Sequence, residues 1–563
     1  MRLRVKPLVY IACGLSVPLL FSACGGSDQD VGESQRVAVA GLALDGYLAR
    51  SRVFQDLNGN GIMDTIDPRA FTDDDGYYSY NPLTDINYCL LKESDRCLKL
   101  TVGTNANIII EGGYDLITGE PFYGHLRART PVQSNRIFTD IDVVTPISTL
   151  LSYTTTNDQS SRLQNLLGIS SFDLNRDYYN RLTTQTADNA ADRRLAEVTQ
   201  TIHRVVTAAS RLADDVYTDF GDESDLPQST SSYAYASLNT LLQDQTVLPN
   251  TAITATSMSD LVSSTSNVSR IVASIQAQAN AAIAATNKSR PVGANYDTSE
   301  TSVDVQNISK ISDVVKRSMA AIPNNTMPTI ESSKAALKAI EISFEKIVNK
   351  KPTTEIDSII VTLTDTVARD NLLEELAKPS TNITSLIDTD LSNEADVKAI
   401  TEIDYSPVFS NLQNKRLAFS KNVPEEDQDL SALLYFNAVD SSSTSGTLIA
   451  CVRYVDGLES NGKLKSGGTL GTHTNLGSWA RLNDGYAVLL DFEIAKSKRQ
   501  GTVQYGGLDD GNMHIYRTDI GGKFTTWASV STPATYVGNA PSSDAACKAE
   551  LDRVDPIQVT VVD

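Results

Sequence analysis

Residues 56 to 67 read Asp56-Leu57-Asn58-Gly59-Asn60-Gly61-Ile62-Met63-Asp64-Thr65-Ile66-Asp67. Oxygen-bearing side chains fall at positions 1, 3, 5, 9 and 12 of this stretch: Asp56, Asn58, Asn60, Asp64 and Asp67. So dense a run of Asp, Asn and Gly does not continue a helix or a strand, because its side chains compete for the backbone and its carboxylates repel one another. It forces a loop. Gly61 at position 6 permits a sharp turn, and Ile62 at position 7 adds a backbone carbonyl. Together these make a six-oxygen set of the kind a hard cation, Ca2+ above all, requires. A bare turn without an ion is the alternative. Position 12 is Asp67, one methylene shorter than Glu, and the flanks read as strands. The expectation is therefore a structural crosslink of roughly 10⁻⁴–10⁻³ M affinity, distinct from a helix-loop-helix sensor.

The chain begins with Arg2, Arg4 and Lys6, an apolar run from Leu8 to Phe21, and then Ser22-Ala23-Cys24-Gly25. That order is that of an export signal, and the apolar run is too short and interrupted for a good spanning helix. Phe21-Ser22-Ala23-Cys24 resembles the lipobox of bacterial lipoproteins. The resemblance implies cleavage before Cys24, a diacylglyceryl thioether on its sulfur and acyl chains such as palmitate anchoring the new N-terminus. With Gly25 where the family's inner-membrane retention signal has Asp, the expected location is the outer membrane, periplasmic or surface-exposed. Residues 25–36 are small and polar and suit a flexible tether.

At 563 residues the chain is too long for one core, so two to four domains are expected. A net charge of −21 excludes nucleic acid as a natural partner, since phosphate binding needs clustered Lys and Arg. Of six cysteines, Cys13 leaves with the signal and Cys24 takes the lipid. The rest form two local pairs, and in an exported chain they read as disulfides Cys89–Cys97 and Cys451–Cys547.

Residues 37–135 read as a β-domain. Val37–Leu48 and Ser51–Gln55 are strands broken by a turn at Asp45-Gly46, Asp75-Gly76 marks a hairpin within Phe71–Tyr80, and Asn107–Glu111 is a further strand. The entry DGYLARSRVFQDLNGNG and the run TDDDGYYSY resemble small exported β-sandwiches of the carboxypeptidase-regulatory-like and SdrD B-like kind. The loop is similar to those of dockerins and thrombospondin type 3 repeats, and Gly112–Phe122 with Val143-Val144-Thr145-Pro146 is similar to a pattern in bacterial surface lipoproteins. The resemblance covers a fifth to a quarter of the chain and implies a structural or binding module. Asp73, Asp74 and Asp75 read as a solvated turn, with an outer shell for the ion as the alternative.

From 136 to 400 the period becomes helical. Pro146 fits a first helical turn. Leu195, Val198, Ile202, Val205, Ala209, Leu212 and Val216 are spaced 3-4-3-4-3-4, which places them on one helix face. Further stripes run from Leu261 to Ala282, from Ile308 to Ile322 and from Ile330 to Ile347, and 355–378 adds a fifth helix. This predicts an antiparallel helical array, with Ser/Thr-rich connections at 227–234 and 251–266 disordered in part. His203, lacking a second ligand four residues away, is read as a flank residue.

Residues 401–563 return to strands: Thr447–Val455, Ser478–Leu482, Tyr486–Glu493, Gly501–Tyr505, Met513–Arg517, Lys523–Val530 and Ile557–Val562, with glycine turns between several. These predict an antiparallel sandwich or barrel. Trp479, Trp527, Tyr505 and Tyr516 read as core, with an aromatic platform for a sugar as the alternative. His473 and His514 are a potential metal pair without a third ligand.

No nucleophile-elbow, zincin or phosphate-loop pattern is present, and Ser343-Phe344-Glu345-Lys346 matches Ser-x-x-Lys without companion motifs. Four histidines leave few general bases. The expectation is a multidomain α+β chain: a signal at 1–23, a lipidated tether at 24–36, a calcium-binding β-sandwich at 37–135, a helical domain at 136–400 and a β-domain at 401–563. The functional class that follows is an envelope protein that binds or scaffolds, its partners the membrane and an envelope protein or glycan. The alternatives are a glycan hydrolase using two carboxylates and a carbohydrate reader.

Overall fold

Short apolar runs separated by Gly, Asn and Asp build the front of the chain from small strands. The computed structural model describes residues 36–554 except 62, 65, 92–93, 103, 105, 120–121, 123, 130–140, 170–172, 180–189, 219–229, 245–259, 286–300, 323–329, 349–350, 379–385, 388, 402–414, 424–427, 439–444, 459–463, 483–486, 495–496, 506–512, 518–525, 531–533 and 536–539. Through much of the C-terminal strands it describes the backbone path alone. The architecture is mixed α+β, with twelve α-helices among the described residues.

The front strands are β1 (Arg36–Ala38), β2 (Gly41–Ala43), β3 (Leu48–Ala49), β4 (Arg52–Asp56), β5 (Arg69–Phe71), β6 (Tyr77–Tyr78), β7 (Tyr80–Asn81), β8 (Ile86–Asn87), β9 (Lys99–Thr101), β10 (Asn107–Glu111), β11 (Tyr114–Asp115), β12 (His125–Arg129) and β13 (Asp142–Val144). They form a four-stranded sheet ordered β12-β10-β4-β5, a three-stranded sheet β13-β2-β6, and the ladders β1–β9, β3–β11 and β7–β8. Val53, Ile108, Ile110 and Leu126 from the larger sheet meet Ala43, Tyr78 and Val144 from the smaller in one core. The Asp45-Gly46 turn lies between β2 and β3 as expected. The Asp75-Gly76 turn also forms, but its flanks are not a hairpin: β5 pairs with β4 and β6 with β2. β13 joins the front sheet by running parallel to β2, although it lies beyond residue 135.

The helices α1 (Pro146–Ser152), α2 (Asn157–Leu167), α3 (Ala190–Thr218), α4 (Thr230–Gln243), α5 (Thr265–Ala285), α6 (Thr301–Ser309), α7 (Ile311–Ala320), α8 (Ile330–Val348), α9 (Thr353–Thr364), α10 (Thr366–Leu376) and α11 (Glu394–Thr401) follow. α1 starts with Pro146 at its first turn and a reciprocal cap: Ser148 N donates to Thr145 Oγ1 at 3.1 Å, and Thr145 N donates to Ser148 Oγ at 2.8 Å. Along α3, Leu195, Val198, Ile202, Val205, Ala209 and Leu212 are all buried. Each fully buried aliphatic side chain contributes about 1.5–3 kcal/mol, so this stripe is a substantial part of the core it shares with the neighbouring helices. Its core also takes in Leu42, Leu44 and Tyr77 from the front strands, so the two regions share apolar packing.

Two expectations for the helical region change. The stretch 355–378 is two helices, because Asp365 caps α10 by accepting from Val367 N at 3.0 Å and Ala368 N at 2.9 Å. The Ser/Thr-rich 227–234 is helical from Thr230, and Thr230, Ser231 and Ser232 are buried. Their small side chains admit a close neighbour, and Ser210 Oγ on α3 donates to Thr230 Oγ1 at 2.8 Å. Helix α5 begins at Thr265, within the second such stretch.

The last strands are β14 (Lys415–Val423), β15 (Gln428–Ala438), β16 (Ser445–Leu458), β17 (Leu464–Leu482), β18 (Ala487–Ile494), β19 (Ser497–Tyr505), β20 (Met513–Arg517), β21 (Thr526–Val530) and β22 (Ala534–Thr535), followed by α12 (Asp544–Val554). Each of β15 to β21 pairs antiparallel with the next, and β14 pairs with both β15 and β21. The sheet therefore closes on itself through eight strands. Closure pairs each of these eight strands on both sides, which removes the open edges that template aggregation. The register puts Leu417, Leu434, Phe436, Leu448, Ala450 and Trp479 on one face, all buried. On the other face Leu433, Tyr435 and Cys451 meet Cys547 and Leu551 of α12. The opposite side of α12 is exposed, so it lies outside the closed sheet and the first face lines the interior. Helix α12 was not expected from the sequence, and the strand expected at 557–562 lies outside the described residues.

Candidate functional site

The twelve-residue loop leaves the end of β4, whose pairing with β10 and β5 fixes where the loop starts. Asp56 is buried, and its carboxylate accepts from the backbone N–H of Gly59 at 2.8 Å, Asn60 at 3.1 Å and Gly61 at 2.9 Å. Gly59 and Gly61 hold φ of 78° and 72°, a left-handed backbone that the tight winding requires and that glycine adopts without strain. At the far end Asp67 is also buried and accepts from Leu57 N at 3.0 Å and Asp64 N at 2.8 Å. Asp64 Oδ2 takes the side-chain amides of Asn58 at 2.6 Å and Asn60 at 3.0 Å. The five side chains named from sequence thus converge on one another. Ile62 lies outside the described residues.

Burial raises the Asp67 pKa. Its two backbone hydrogen bonds oppose the shift, and the nearby charges of Asp64 and Asp56 add to it. The loop thus carries three carboxylates, and the charges of Asp56 and Asp64 bear on Asp67. An ionised carboxylate has about four acceptor positions, so hydrogen bonds to Asp56 and Asp67 leave lone pairs over. Rotating the Asn58 and Asn60 amides would present Oδ1 where Nδ2 now stands. As arranged, the loop is satisfied by its own N–H groups. No group of three His, Cys, Asp or Glu stands in a metal-holding arrangement among the described residues. Asp73 does not serve this loop: it is buried and accepts from Tyr77 N, Asn81 Nδ2 and Tyr88 OH, while Asp74 pairs with Arg50.

Both expected disulfides form, Cys89–Cys97 and Cys451–Cys547. Trp479 is core, set edge-on to Phe436 with ring centres 5.7 Å apart, and its Nε1 donates to Asn437 O at 3.1 Å. The side chains of Trp527, Tyr505 and Tyr516 lie outside the described residues. His473 lies on β17 and His514 on β20, with β18 and β19 between those strands in the sheet, and their side chains lie outside the described residues. Ser343 is buried and donates back to Ala339 O at 2.7 Å, the ordinary posture of a helical serine. Cys24 lies outside the described residues.

A second polar cluster went unseen in the sequence. His203, expected at a flank, is buried with Nε2 3.4 Å from Asp45 Oδ2. Gln200 Nε2 donates to Asp45 Oδ1 at 3.0 Å and to Tyr179 OH at 2.7 Å. Arg204 pairs with Glu341 at 2.6 Å and Arg211 with Glu345 at 3.2 Å, all four buried. Phe122 stacks on His203 with ring centres 5.1 Å apart. Burial pushes the carboxyl of Asp45 well up and the imidazole of His203 well down. Asp115, against Gly46, is pushed up to about 7, chiefly by burial. The available signal was a polar stripe on α3, Gln200, Arg204, Thr207 and Arg211 at 4-3-4 spacing. The cluster packs the front strands against α3.

The chain matches no family model, no curated protein and no solved structure. No helix among the described residues is long and apolar enough to cross a membrane.

Proposed function

We propose that this chain is a calcium-stabilised, lipid-anchored protein of the cell envelope that works by binding or scaffolding at the surface. The reading divides it into a signal at 1–23, a lipidated tether at 24–36, a calcium-holding β-module at 37–135, a helical region at 136–400 and a C-terminal barrel at 401–563. The observation that carries it is the convergence of Asp56, Asn58, Asn60, Asp64 and Asp67 at the end of β4. A bound Ca2+ would supply the charge that offsets the mutual repulsion of Asp56, Asp64 and Asp67, and would fix the loop to the four-stranded sheet. The buried Trp479 and the hydrogen-bonded Ser343 lend nothing to a sugar platform or a serine nucleophile.

At about 2 mM Ca2+ and an affinity of roughly 10⁻⁴–10⁻³ M, the ion stabilises the folded state by about 0.6–2 kcal/mol. EGTA is expected to lower the melting temperature of the front region, and Asp56→Ala to abolish that response. A melt indifferent to chelation would leave the loop a bare turn. The binding or scaffolding role is tested by pull-down from intact surface-labelled cells, where an envelope protein or glycan should co-purify. A protein recovered alone, yet turning over a polysaccharide, would replace this reading with a hydrolase.

A further inference from the structure

Most large apolar side chains on the front module are buried; beside Ile66 and Val102, the exposed ones gather in one nine-residue stretch. Leu83 is 66 % exposed, Ile86 37 %, Leu90 82 % and Leu91 54 %. Leu83 sits at the turn of the β7–β8 hairpin, Ile86 in β8, and Leu90 and Leu91 end the 3-10 turn that follows. The Cys89–Cys97 disulfide, with Cα atoms 4.8 Å apart, pins this turn to the segment leading into β9. β9 is the strand that pairs with β1, the first described strand of the chain. In that ladder Arg36 lies opposite Thr101 and Ala38 opposite Lys99. Alternation along the strands puts Arg36 and Lys99 on one face, and both are exposed. Asp85 and Asp95 are exposed on the same stretch, so the patch is close to neutral on a chain of net charge −21.

We propose that this patch rests on a phospholipid bilayer, with Leu83, Ile86, Leu90 and Leu91 entering the headgroup region and Arg36 and Lys99 meeting lipid phosphates. This rests on the lipid-anchor reading, for the eleven residues from Gly25 to Gln35 are all that separates Cys24 from Arg36. Fully extended, that segment spans roughly 40 Å, which keeps the front module within reach of the surface that holds the lipid. Apolar side chains held out from a folded module on a patch without net charge suit an interfacial contact, and a covalent lipid then supplies the second signal that stable attachment takes. The disulfide restrains the backbone at Leu90 and Leu91, which lowers the backbone ordering entropy lost on contact.

The test uses the Cys24→Ser chain, so that it does not depend on lipidation, with vesicles of phosphatidylethanolamine and phosphatidylglycerol. Leu90→Trp in that chain should become quenched by brominated acyl chains, over the background of Trp479 and Trp527. Leu90→Ser with Leu91→Ser should weaken vesicle binding by roughly tenfold, and Leu83→Ser, on the neighbouring turn, should weaken it independently. These leucines are exposed, so circular dichroism should show each variant folded. An unquenched Leu90→Trp at saturating lipid overturns the proposal. So does a leucine pair whose loss abolishes self-association and leaves vesicle binding intact, which would assign the patch to a second copy. Failure of the anchor reading would show separately, as an unmodified Cys24 in the mass spectrum of the wild-type protein.

Discussion

Asp115→Asn should make the protein more stable above neutral pH and remove a pH dependence that the wild type shows below it. Asp115 accepts from Ile117 N at 2.7 Å and is buried against the Gly46 turn. Burial raises its pKa from 3.8 to about 7; hydrogen bonds from Ile117 and Thr118 and the charge of Arg204 oppose this. In the unfolded chain the group ionises near 3.8. Between those two values the unfolded state loses its proton while the folded state keeps it, so stability falls as pH rises. Below both values the contribution is fully present, and above both it is lost. A shift of about three units corresponds to roughly 4 kcal/mol, accruing at about 1.4 kcal/mol per pH unit. Asparagine keeps the shape and an acceptor oxygen but carries no charge in either state. Urea unfolding of both proteins, followed by far-ultraviolet circular dichroism from about pH 4 to about pH 8, isolates the effect in the difference. The variant's advantage should be near zero at the acid end, grow through the window and level off at about 4 kcal/mol above pH 7. His203 works in the opposite sense, its buried neutral imidazole costing stability as pH drops below 6.5, but it is common to both proteins and cancels. A difference that stays flat across the window would refute the account, showing Asp115 ionised in the folded state throughout.

The two disulfides should differ in worth. Cys451–Cys547 closes a separation of 96 residues and Cys89–Cys97 one of 8. On the chain-entropy argument, replacing the first pair by serine costs about 4.7 kcal/mol and the second about 2.6 kcal/mol, read by denaturant unfolding. Equal losses would place the stabilisation in the folded state instead. Cys24→Ser should leave the protein removable from membranes by a salt wash, because a contact of a few side chains is weak without the acyl chains. Retention of that variant after washing would defeat the lipid anchor.

Legibility followed locality. Thr145-Pro146, the α3 stripe and the Asp45-Gly46 turn carry their meaning within a few residues, and each was readable. So were Asp56, Asn58, Asn60, Asp64 and Asp67, because a twelve-residue loop brings its own ends together. Asp365 was overlooked because a cap inside a helical pattern looks like any polar residue on a solvated face. His203 was misplaced for a different reason. Nothing within α3 says that Asp45 and Phe122, more than seventy-five residues earlier, come to lie on it.

Sequence alone determined the β–α–β order of the chain, the course of α3, both cysteine pairs and the residues that converge in the Asp56–Asp67 loop. Periodicity, turn chemistry and short-range geometry specify these without reference to distant parts. Tertiary structure decided that part of the front strands packs into the core of the helices, that eight C-terminal strands close into a ring, and that Asp45, Asp115 and His203 are buried together. Strand closure depends on a pairing between β14 and β21 more than a hundred residues apart. Burial of a charge depends on which surface happens to cover it. Both are set by long-range packing, which leaves no periodic mark along the chain.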